Sequence, residues 1–237
     1  MNMILLFEDD FISPDVVCLT GRRRAHVEQI HRAKAGEQLR VGVVNGLHGL
    51  GTIIELSKDK LILQVVCNQQ PAEPSSVELV MALPRPKVLK RTLITATTLG
   101  IKRITLINSW RVEKSFWQTP LLEPQMLEAF LIEGLEQCCD TVLPVVDCYR
   151  LFKPFVQDVL PGRLNGKQGI VAHPHIDAQT RLPDAQGYLL AIGPEGGFIP
   201  YEVDLLCQQG MQPWVLGTRI LKVEAAVVSA VSRIAQF

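Results

Sequence analysis

Apolar positions between residues 38 and 66 fall in three short runs that are rich in Val, Ile and Leu, at 39–44, 51–56 and 61–66. The pair Asn45-Gly46 stands between the first two runs. Asn-Gly suits a tight hairpin because both of its residues tolerate a positive φ. The pattern predicts a small β-barrel in this part of the chain.

A basic segment precedes these runs. Residues 21–36 read GRRRAHVEQIHRAKAG, and the pattern predicts a short helix closed by Gly36. Its arginines are candidates for binding the phosphates of RNA; they are Arg22, Arg23, Arg24 and Arg32. A solvated helix end explains the same charges equally well.

From residue 77 onward the pattern alternates between apolar runs and helical periodicity. Strands are predicted at 77–83 and 104–107, helices at 88–99 and 121–138, and further apolar runs stand at 169–172 and 188–193. Continuous apolar runs are typical of a parallel sheet that is covered on both faces. The class is therefore α/β, and the polar stretch at 68–76 with its two prolines predicts a division into domains 1–70 and 76–237.

The composition suits a folded globular protein, with 47% hydrophobic and 20% charged residues among 237. No apolar run approaches the roughly 18 residues that span a bilayer, and the N-terminal apolar stretch meets Glu8-Asp9-Asp10 at once. We therefore expect a cytoplasmic protein without a membrane partner. The six cysteines lack C-x-x-C spacing, and His173 with His175 lacks further ligands, so we expect no metal.

Charge is unevenly distributed although the formal net charge is zero. Eight basic residues and one acidic residue, Glu113, lie between Arg85 and Lys114, and the following stretch to residue 140 is acidic. Such a split can place a positive face on a neutral molecule, with Arg85 and Lys87 as candidate RNA contacts. Two solvated helix faces of opposite sign would have the same composition.

A glycine-rich turn follows the last long apolar run. Its sequence is Ile192-Gly193-Pro194-Glu195-Gly196-Gly197-Phe198, and a helix is predicted directly after it, at 201–209. Open α/β sheets bind ligands at the carboxyl ends of their strands, and glycines let a ligand approach the backbone. Glu195 can accept hydrogen bonds from a ribose or from a neighbouring helix. The turn lacks the Lys-Ser/Thr of a P-loop, and no G-x-G-x-x-G follows a strand, which disfavours a nicotinamide oxidoreductase.

A second motif lies about twenty residues further on, where Leu216-Gly217-Thr218-Arg219-Ile220-Leu221-Lys222-Val223-Glu224 leads into an apolar terminal helix. GPEGGF followed by LG-x-R-I-L-K-V-E-A-A resembles the RsmE-type 16S rRNA uridine-N3 methyltransferases of the SPOUT superfamily. Weaker matches along the chain include Ala172-His173-Pro174 and Glu136-Gln137-Cys138.

The resemblance implies an N-terminal PUA-like RNA-binding barrel, a C-terminal domain with a deep trefoil knot, and a homodimer. It implies S-adenosyl-L-methionine as the cofactor, S-adenosyl-L-homocysteine as the product, and rRNA of the small ribosomal subunit as the partner. The residues expected to bind the cofactor, mostly through backbone groups, are His173, Ile192, Gly193, Pro194, Glu195, Gly196, Gly197, Leu216, Gly217, Ile220 and Leu221.

Candidate catalytic residues lie in the second motif. Arg219 or Lys222 would stabilise the anion formed when nitrogen 3 of uracil loses its proton. Glu224 would orient these cations or accept the proton, although a glutamate also favours the N-terminal dipole of a helix without any catalytic role.

This chain departs from the family pattern at several positions. Thr98 stands where the family has glutamate, Cys139-Asp140 where it has Gly-Arg, Lys222 where it has arginine, and Ala225 where it has threonine. These departures leave two alternatives open. One is a methyltransferase for another RNA site, and the other is a non-catalytic RNA-binding or ribosome-assembly protein that keeps the fold.

Overall fold

The computed structural model of the chain describes residues 2–28, 34–174, 182 and 184–235, which divide into two compact units. Unit 1 consists of Met1–Glu73 and Ile132–Leu143, and unit 2 of Pro74–Leu131 and Pro144–Phe237. The first break along the chain falls within the polar stretch at 68–76. The assignment of Ile132–Leu143 to unit 1 was not part of the predicted division.

Unit 1 is built on one six-stranded sheet in the order β1-β4-β5-β6-β3-β2. The strands are β1 (Ile4–Leu6), β2 (Phe11–Ser13), β3 (Val16–Leu19), β4 (Gln38–Val43), β5 (His48–Leu56) and β6 (Leu61–Gln69). Strand β1 pairs with β4 in parallel, and the other pairs are antiparallel. Closure of this sheet into a barrel stays a prediction.

The predicted hairpin connects β4 and β5. Asn45 adopts a left-handed backbone with φ of 58°, and Gly42 pairs with His48 across the turn. Along β6 the side chains of Leu61, Leu63 and Val65 point into an apolar core. The run at 61–66 was predicted as β-structure, and its side chains alternate between the two faces of the sheet, as in any strand.

Helix α1 (Gly21–His26) is shorter than the predicted helix at 21–36. Residues 29–33 lie outside the described part of the chain. Gly36 has φ of 89°, and its N–H donates to the carbonyl of Ile53 rather than closing α1 directly.

Unit 2 is built on a six-stranded sheet in the order β12-β10-β11-β7-β8-β9, in which every pair is parallel. The strands are β7 (Val77–Ala82), β8 (Arg103–Ile107), β9 (Val145–Tyr149), β10 (Gln168–Ala172), β11 (Tyr188–Ile192) and β12 (Gln212–Trp214). All residues of β7 and β11 are buried, as continuous apolar runs predicted. The predicted α/β class with a parallel sheet is confirmed.

The remaining helices follow these strands. They are α2 (Pro86–Thr98), α3 (Pro124–Cys138), α4 (Phe152–Pro154), α5 (Leu160–Leu164), α6 (Pro200–Gln208) and α7 (Val223–Ile234), with a π-helical turn (Phe155–Val159) between α4 and α5. Sequence reasoning missed β9 and the helical segment from Phe152 to Leu164. Among the described residues, no helix has both the length and the apolar character needed to cross a membrane.

The parallel arrangement places one loop after each strand at the same edge of the unit 2 sheet. Strands β12, β10, β11, β7 and β8 are successive neighbours, so the loops that follow them form a continuous row. Both predicted motifs belong to this row, because the glycine-rich turn follows β11 and the second motif follows β12. Ligands of open parallel sheets bind at this edge.

Candidate active site

A cavity of about 690 Å³ opens among the loops that follow β10, β11 and β12. All eleven residues predicted to bind the cofactor line it: His173, Ile192, Gly193, Pro194, Glu195, Gly196, Gly197, Leu216, Gly217, Ile220 and Leu221. They come from three separate loops, which the strand order brings together.

The glycine-rich turn folds tightly against itself. The N–H of Gly197 donates to the carbonyl of Pro194 at 2.7 Å, and Gly197 has φ of 73°, which favours glycine. A Cβ atom added to Gly193 would lie only 2.8 Å from the backbone nitrogen of Phe198. The turn therefore requires glycine at position 193 for its own geometry.

Glu195 connects the turn to the loop after β7. Its Oε1 accepts a hydrogen bond at 3.1 Å from the backbone N–H of Arg85, the residue that precedes helix α2. A carboxylate at this position satisfies one N–H at the start of the helix and interacts favourably with the helix dipole. Of the two roles predicted for Glu195, contact with a neighbouring helix is the one that the structure contains.

Arg111 is a lining residue that sequence reasoning did not single out as part of the site. It follows β8, and its guanidinium donates to the carbonyl of Gly196. A Cβ atom on Gly196 would lie 2.9 Å from Cδ of Arg111. Its position after a predicted parallel strand was the available signal, since the loops after neighbouring strands meet at one edge.

A buried carboxylate holds the Arg111 loop in place. Glu202 is 3% exposed, and its Oε1 accepts from the N–H of Trp110 at 2.7 Å. Its Oε2 accepts from the N–H of Ile199 at 3.0 Å and lies 3.4 Å from the hydroxyl of Ser109. Glu202 thus joins the start of α6 to the loop after β8, and a glutamate three residues after the helix cap was its sequence signal.

Further lining residues were not among those predicted to bind the cofactor, although several of them belong to the motifs quoted from the sequence. They are Ala172, Pro174, Phe198, Pro200, Val203, Asp204, Val223 and Ala226. Most are apolar or proline residues within or next to the motifs, and Asp204 on α6 adds a carboxylate.

The three predicted catalytic residues occupy different places. Arg219 lines the cavity and is exposed, and it forms no ion pair within the described part of the chain. Lys222 is the exposed residue before α7 and lies outside the cavity lining. Glu224 also lies outside the lining, with its Oε1 at 3.4 Å from the guanidinium of Arg91.

Two of the arginines predicted to bind RNA have partners within unit 1 and little exposed surface. Arg23 forms two hydrogen bonds with the carboxylate of Asp10, at 2.5 and 2.6 Å, and 19% of its side chain is exposed. Arg24 donates to the carbonyl of Ser57 at 2.9 Å and pairs with Glu28 at 2.7 Å. Both guanidinium groups therefore stabilise the fold of unit 1.

Arg22 combines an internal partner with exposure. It contacts both carboxylate oxygens of Glu136, at 2.9 and 3.0 Å, while 62% of its own side chain stays exposed. Burial raises the pKa of Glu136 above its ordinary value, although Arg22 acts in the opposite direction. The fourth predicted arginine, Arg32, lies outside the described residues.

The basic segment between Arg85 and Lys114 does not form one face. Arg85 and Lys87 are exposed at the start of α2, and Arg111 lies at the cavity after the end of β8. Arg103, in contrast, begins β8 at the opposite edge of the sheet and pairs with Asp147 at 2.8 Å. Basic residues of this segment therefore lie at both edges of the unit 2 sheet.

Among residues 2–28, 34–174, 182 and 184–235, no group of three His, Cys, Asp or Glu side chains is arranged to hold a metal ion. Nε2 of the His173 ring instead lies 3.3 Å from the carbonyl of Phe198, and the backbone N–H of His173 donates to the carbonyl of Trp214. His175 is outside the described residues.

Comparison with known proteins places this chain in a family. The model of the RNA methyltransferase domain matches residues 71–235. A ribosomal RNA small subunit methyltransferase E from Treponema pallidum is 27% identical over 96% of this chain and 88% of the relative. One from Bacillus subtilis is 25% identical over 91% of this chain and 88% of the relative.

A solved structure is similar in fold. The ribosomal RNA small subunit methyltransferase E from Neisseria gonorrhoeae, bound to S-adenosyl methionine, superposes with a TM-score of 0.75 at 18% identity, over 98% of this chain and 96% of that one. Since the family model covers more than half of the sequence, this chain belongs to the RNA methyltransferase domain family, as the resemblance of its two C-terminal motifs to the RsmE-type enzymes predicted.

Proposed function

We propose that this protein transfers a methyl group from S-adenosyl-L-methionine to nitrogen 3 of a uridine in 16S rRNA of the small ribosomal subunit. The observation that carries the proposal is that one cavity is lined by all eleven predicted cofactor residues, which are His173 and ten residues of the two motifs. Family membership and the names of the relatives support RNA as the methyl acceptor.

The cavity fits a cofactor of this kind. Its volume of about 690 Å³ lies in the range of small-molecule sites, roughly 300–1,000 Å³. Backbone groups and apolar side chains such as Leu216 and Leu221 suit the edge and face of an adenine ring. No atom lies within 4 Å of a Cβ added to Gly197 or Gly217, so both glycines border open space.

S-adenosyl-L-methionine supplies an already activated methyl group on a positively charged sulfur. The negative charge of Asp204, which lines the cavity, would interact favourably with this sulfur. The acceptor nitrogen of uracil carries a proton at neutral pH, so a new N–C bond requires that this proton leave. Arg219 is the predicted cation that lines the cavity, and we assign it the stabilisation of the resulting negative charge. S-adenosyl-L-homocysteine is the second product.

Different roles suit the other two predicted catalytic residues. Lys222 is exposed outside the cavity lining, which suits a contact with an RNA phosphate. Glu224 lies near Arg91 at the start of α7, and we assign it a positioning role rather than proton transfer. The proton acceptor is then solvent or the RNA itself.

Recognition of RNA is assigned to exposed cations. In unit 2 these are Arg85, Lys87 and Arg111, near the cavity, and in unit 1 we retain Arg22. Nitrogen 3 lies on the pairing edge of uracil, so the target nucleotide must be unpaired or turned out of its stack. Unit 1 would contribute RNA binding as a PUA-like domain.

A homodimer and a trefoil knot in unit 2 remain part of the proposal. The exposed apolar residues Ile220, Leu221 and Val228, at 73%, 40% and 40%, support a protein contact near the second motif.

The departures from the family pattern do not touch the cavity. Asp140 is buried in unit 1, where its Oδ1 accepts from the N–H of Val142 at 3.0 Å. Cys139 adopts φ of 60° in place of the usual glycine, and the hydroxyl of Thr98 donates to the carbonyl of Ile94. These positions support a change in local structure or RNA contact rather than a loss of cofactor binding.

The test is transfer of labelled methyl from S-adenosyl-L-methionine to 16S rRNA and to 30S subunits that lack the modification, followed by nucleoside mass spectrometry. We expect 3-methyluridine. A different methylated nucleoside would favour another RNA site, and cofactor binding without transfer to any ribosomal or transfer RNA would favour the non-catalytic alternative.

A further inference from the structure

Trp110 is presented to solvent on the loop that follows β8. Its side chain is 79% exposed, whereas the other two tryptophans, Trp117 and Trp214, are 8% and 2% exposed. In the described part of the chain, no aromatic ring or cation contacts its indole. An indole has a large apolar surface, so an exposed one offers a strong contact to a binding partner.

The loop around Trp110 is held rigidly on both sides. The backbone N–H of Trp110 donates at 2.7 Å to Oε1 of Glu202, which is itself buried. Ser109 is 2% and Val112 is 7% exposed, and the N–H of Val112 donates to the carbonyl of Ser109 at 3.0 Å. The exposure of the indole is therefore imposed by a fixed backbone rather than by a loose loop.

The loop lies at the rim of the cavity. Arg111, the next residue, lines the cavity and donates to the carbonyl of Gly196. Arg85, in the loop after the neighbouring strand β7, is exposed as well. Trp110 and these arginines therefore lie in neighbouring loops at one edge of the sheet. An aromatic ring and cations on one surface are the combination that binds single-stranded nucleic acid, because bases stack on the ring and phosphates pair with the cations.

We propose that Trp110 is a stacking platform for an unpaired nucleobase that flanks the methylated nucleotide in the RNA substrate. This inference rests on the proposed function, and it adds a specificity contact outside the cofactor cavity. A single exposed apolar side chain is common on proteins. Trp110 differs in three respects: Glu202 holds its backbone, its neighbour Arg111 lines the cavity, and Arg111 is positively charged.

The test compares Trp110→Ala and Trp110→Phe with the wild type and with a control, Leu151→Ala, which removes a side chain of unit 2 that is 67% exposed. Loss of one stacking contact should raise the KM for RNA about tenfold in Trp110→Ala. Trp110→Phe should retain most of the affinity. The Kd for S-adenosyl-L-methionine should stay within about twofold in all variants, since Trp110 lies outside the cavity lining.

Tryptophan fluorescence distinguishes stacking on a base from a purely structural role of Trp110. A single-stranded RNA oligonucleotide should quench the tryptophan emission of the wild type, and Trp110→Phe should abolish this quenching. An unchanged KM together with unchanged quenching would overturn the proposal. A change of Trp110→Ala from dimer to monomer in sedimentation would also overturn it, because the indole would then be a subunit contact.

The outcomes separate this inference from the proposed function. If the wild type methylates rRNA and Trp110→Ala does so with the same KM, only the stacking role fails. If the wild type transfers no methyl group but the oligonucleotide still quenches Trp110, the proposed reaction fails and the stacking site stands.

Discussion

The backbone N–H of Arg85 donates a hydrogen bond to Oε1 of Glu195 over 3.1 Å, and this contact joins the loops that follow the neighbouring strands β7 and β11. One third of the Glu195 side chain is exposed, so solvent screening reduces the free energy of this hydrogen bond. The carboxylate therefore fixes the position of the glycine-rich turn relative to the start of α2.

Replacing Glu195 with alanine should lower the affinity for S-adenosyl-L-methionine about fivefold, since about 1 kcal/mol of hydrogen bonding no longer holds the turn. Isothermal titration with the cofactor checks this. Glu195→Gln, which keeps an acceptor oxygen, should bind within about twofold of the wild type. An alanine variant that binds as tightly as the wild type would show that the turn needs no such support.

Gly193→Ala should destabilise the protein and weaken cofactor binding more than tenfold, because the new Cβ would lie 2.8 Å from the backbone nitrogen of Phe198. Overpacking of this kind costs about 1–3 kcal/mol. Gly196→Ala should be milder, since its Cβ meets the flexible side chain of Arg111. Thermal unfolding and cofactor titration measure both effects. Gly162→Ala, where a Cβ meets no atom within 4 Å, is the matched control and should behave as the wild type.

Arg219→Ala should reduce kcat by about 10²–10³ with little change in the Kd for the cofactor, as expected when a group that stabilises developing charge is removed. Lys222→Ala, three residues away but outside the cavity lining, should keep kcat within a few-fold and raise the KM for RNA. Steady-state kinetics at saturating cofactor separate the two. Equal loss of kcat in both variants would contradict the assignment of Arg219 as the catalytic cation.

Arg23→Ala should destabilise unit 1 by about 3 kcal/mol, because the carboxylate of Asp10 would remain largely buried without its partner. Urea unfolding checks this effect. Lys87→Ala, at an exposed position, should leave stability unchanged and reduce the salt dependence of RNA binding by about one counterion. The reverse result, stable Arg23→Ala with a reduced salt slope, would assign RNA contact to Arg23.

Stability should depend on the protonation of Glu136. Burial raises its pKa in the folded protein above the ordinary value of 4.5, so the folded chain holds this proton more tightly than the unfolded chain. Its contribution to the free energy of unfolding is therefore greatest below pH 4.5 and falls as pH rises through the raised pKa. Glu136→Gln should remove this fall, as measured by urea unfolding from pH 4 to pH 8.

Arg22→Ala supplies the complementary change. Arg22 lowers the pKa of Glu136, so its removal should raise that pKa further and enlarge the total loss of stability with increasing pH. A pH profile of Glu136→Gln that matches the wild type would mean that other groups control this range.

Local backbone geometry and a family resemblance made much of the cavity lining predictable from sequence. The positive φ at Gly197 and the close approach at Gly193 each require glycine in the first motif, and the resemblance of both motifs to the RsmE-type enzymes indicated the two loops. Their convergence followed from the rule that parallel strands present their carboxyl ends at one edge. The Asn45 turn was predictable for the same reason, since its conformation depends on neighbouring residues alone.

Contacts between distant positions were not predictable in this way. The partner of Arg22 is Glu136, 114 residues away, and Glu202 holds Trp110 across 92 positions. A run of arginines has the same composition whether it binds phosphate or pairs within the fold. Which of these roles applies depends on strand order and on which acidic side chains the fold brings near.

Because unit 1 includes Ile132–Leu143, it cannot fold completely until the ribosome has synthesised this later segment. Leu135 packs with Met3 and Leu5, and the hydroxyl of Thr141 donates to the carbonyl of Gly46 at 2.5 Å. A nascent chain that has emerged only to residue 73 lacks these partners. The N-terminal unit therefore completes its core only after roughly seventy further residues have been translated, which takes several seconds at ordinary elongation rates.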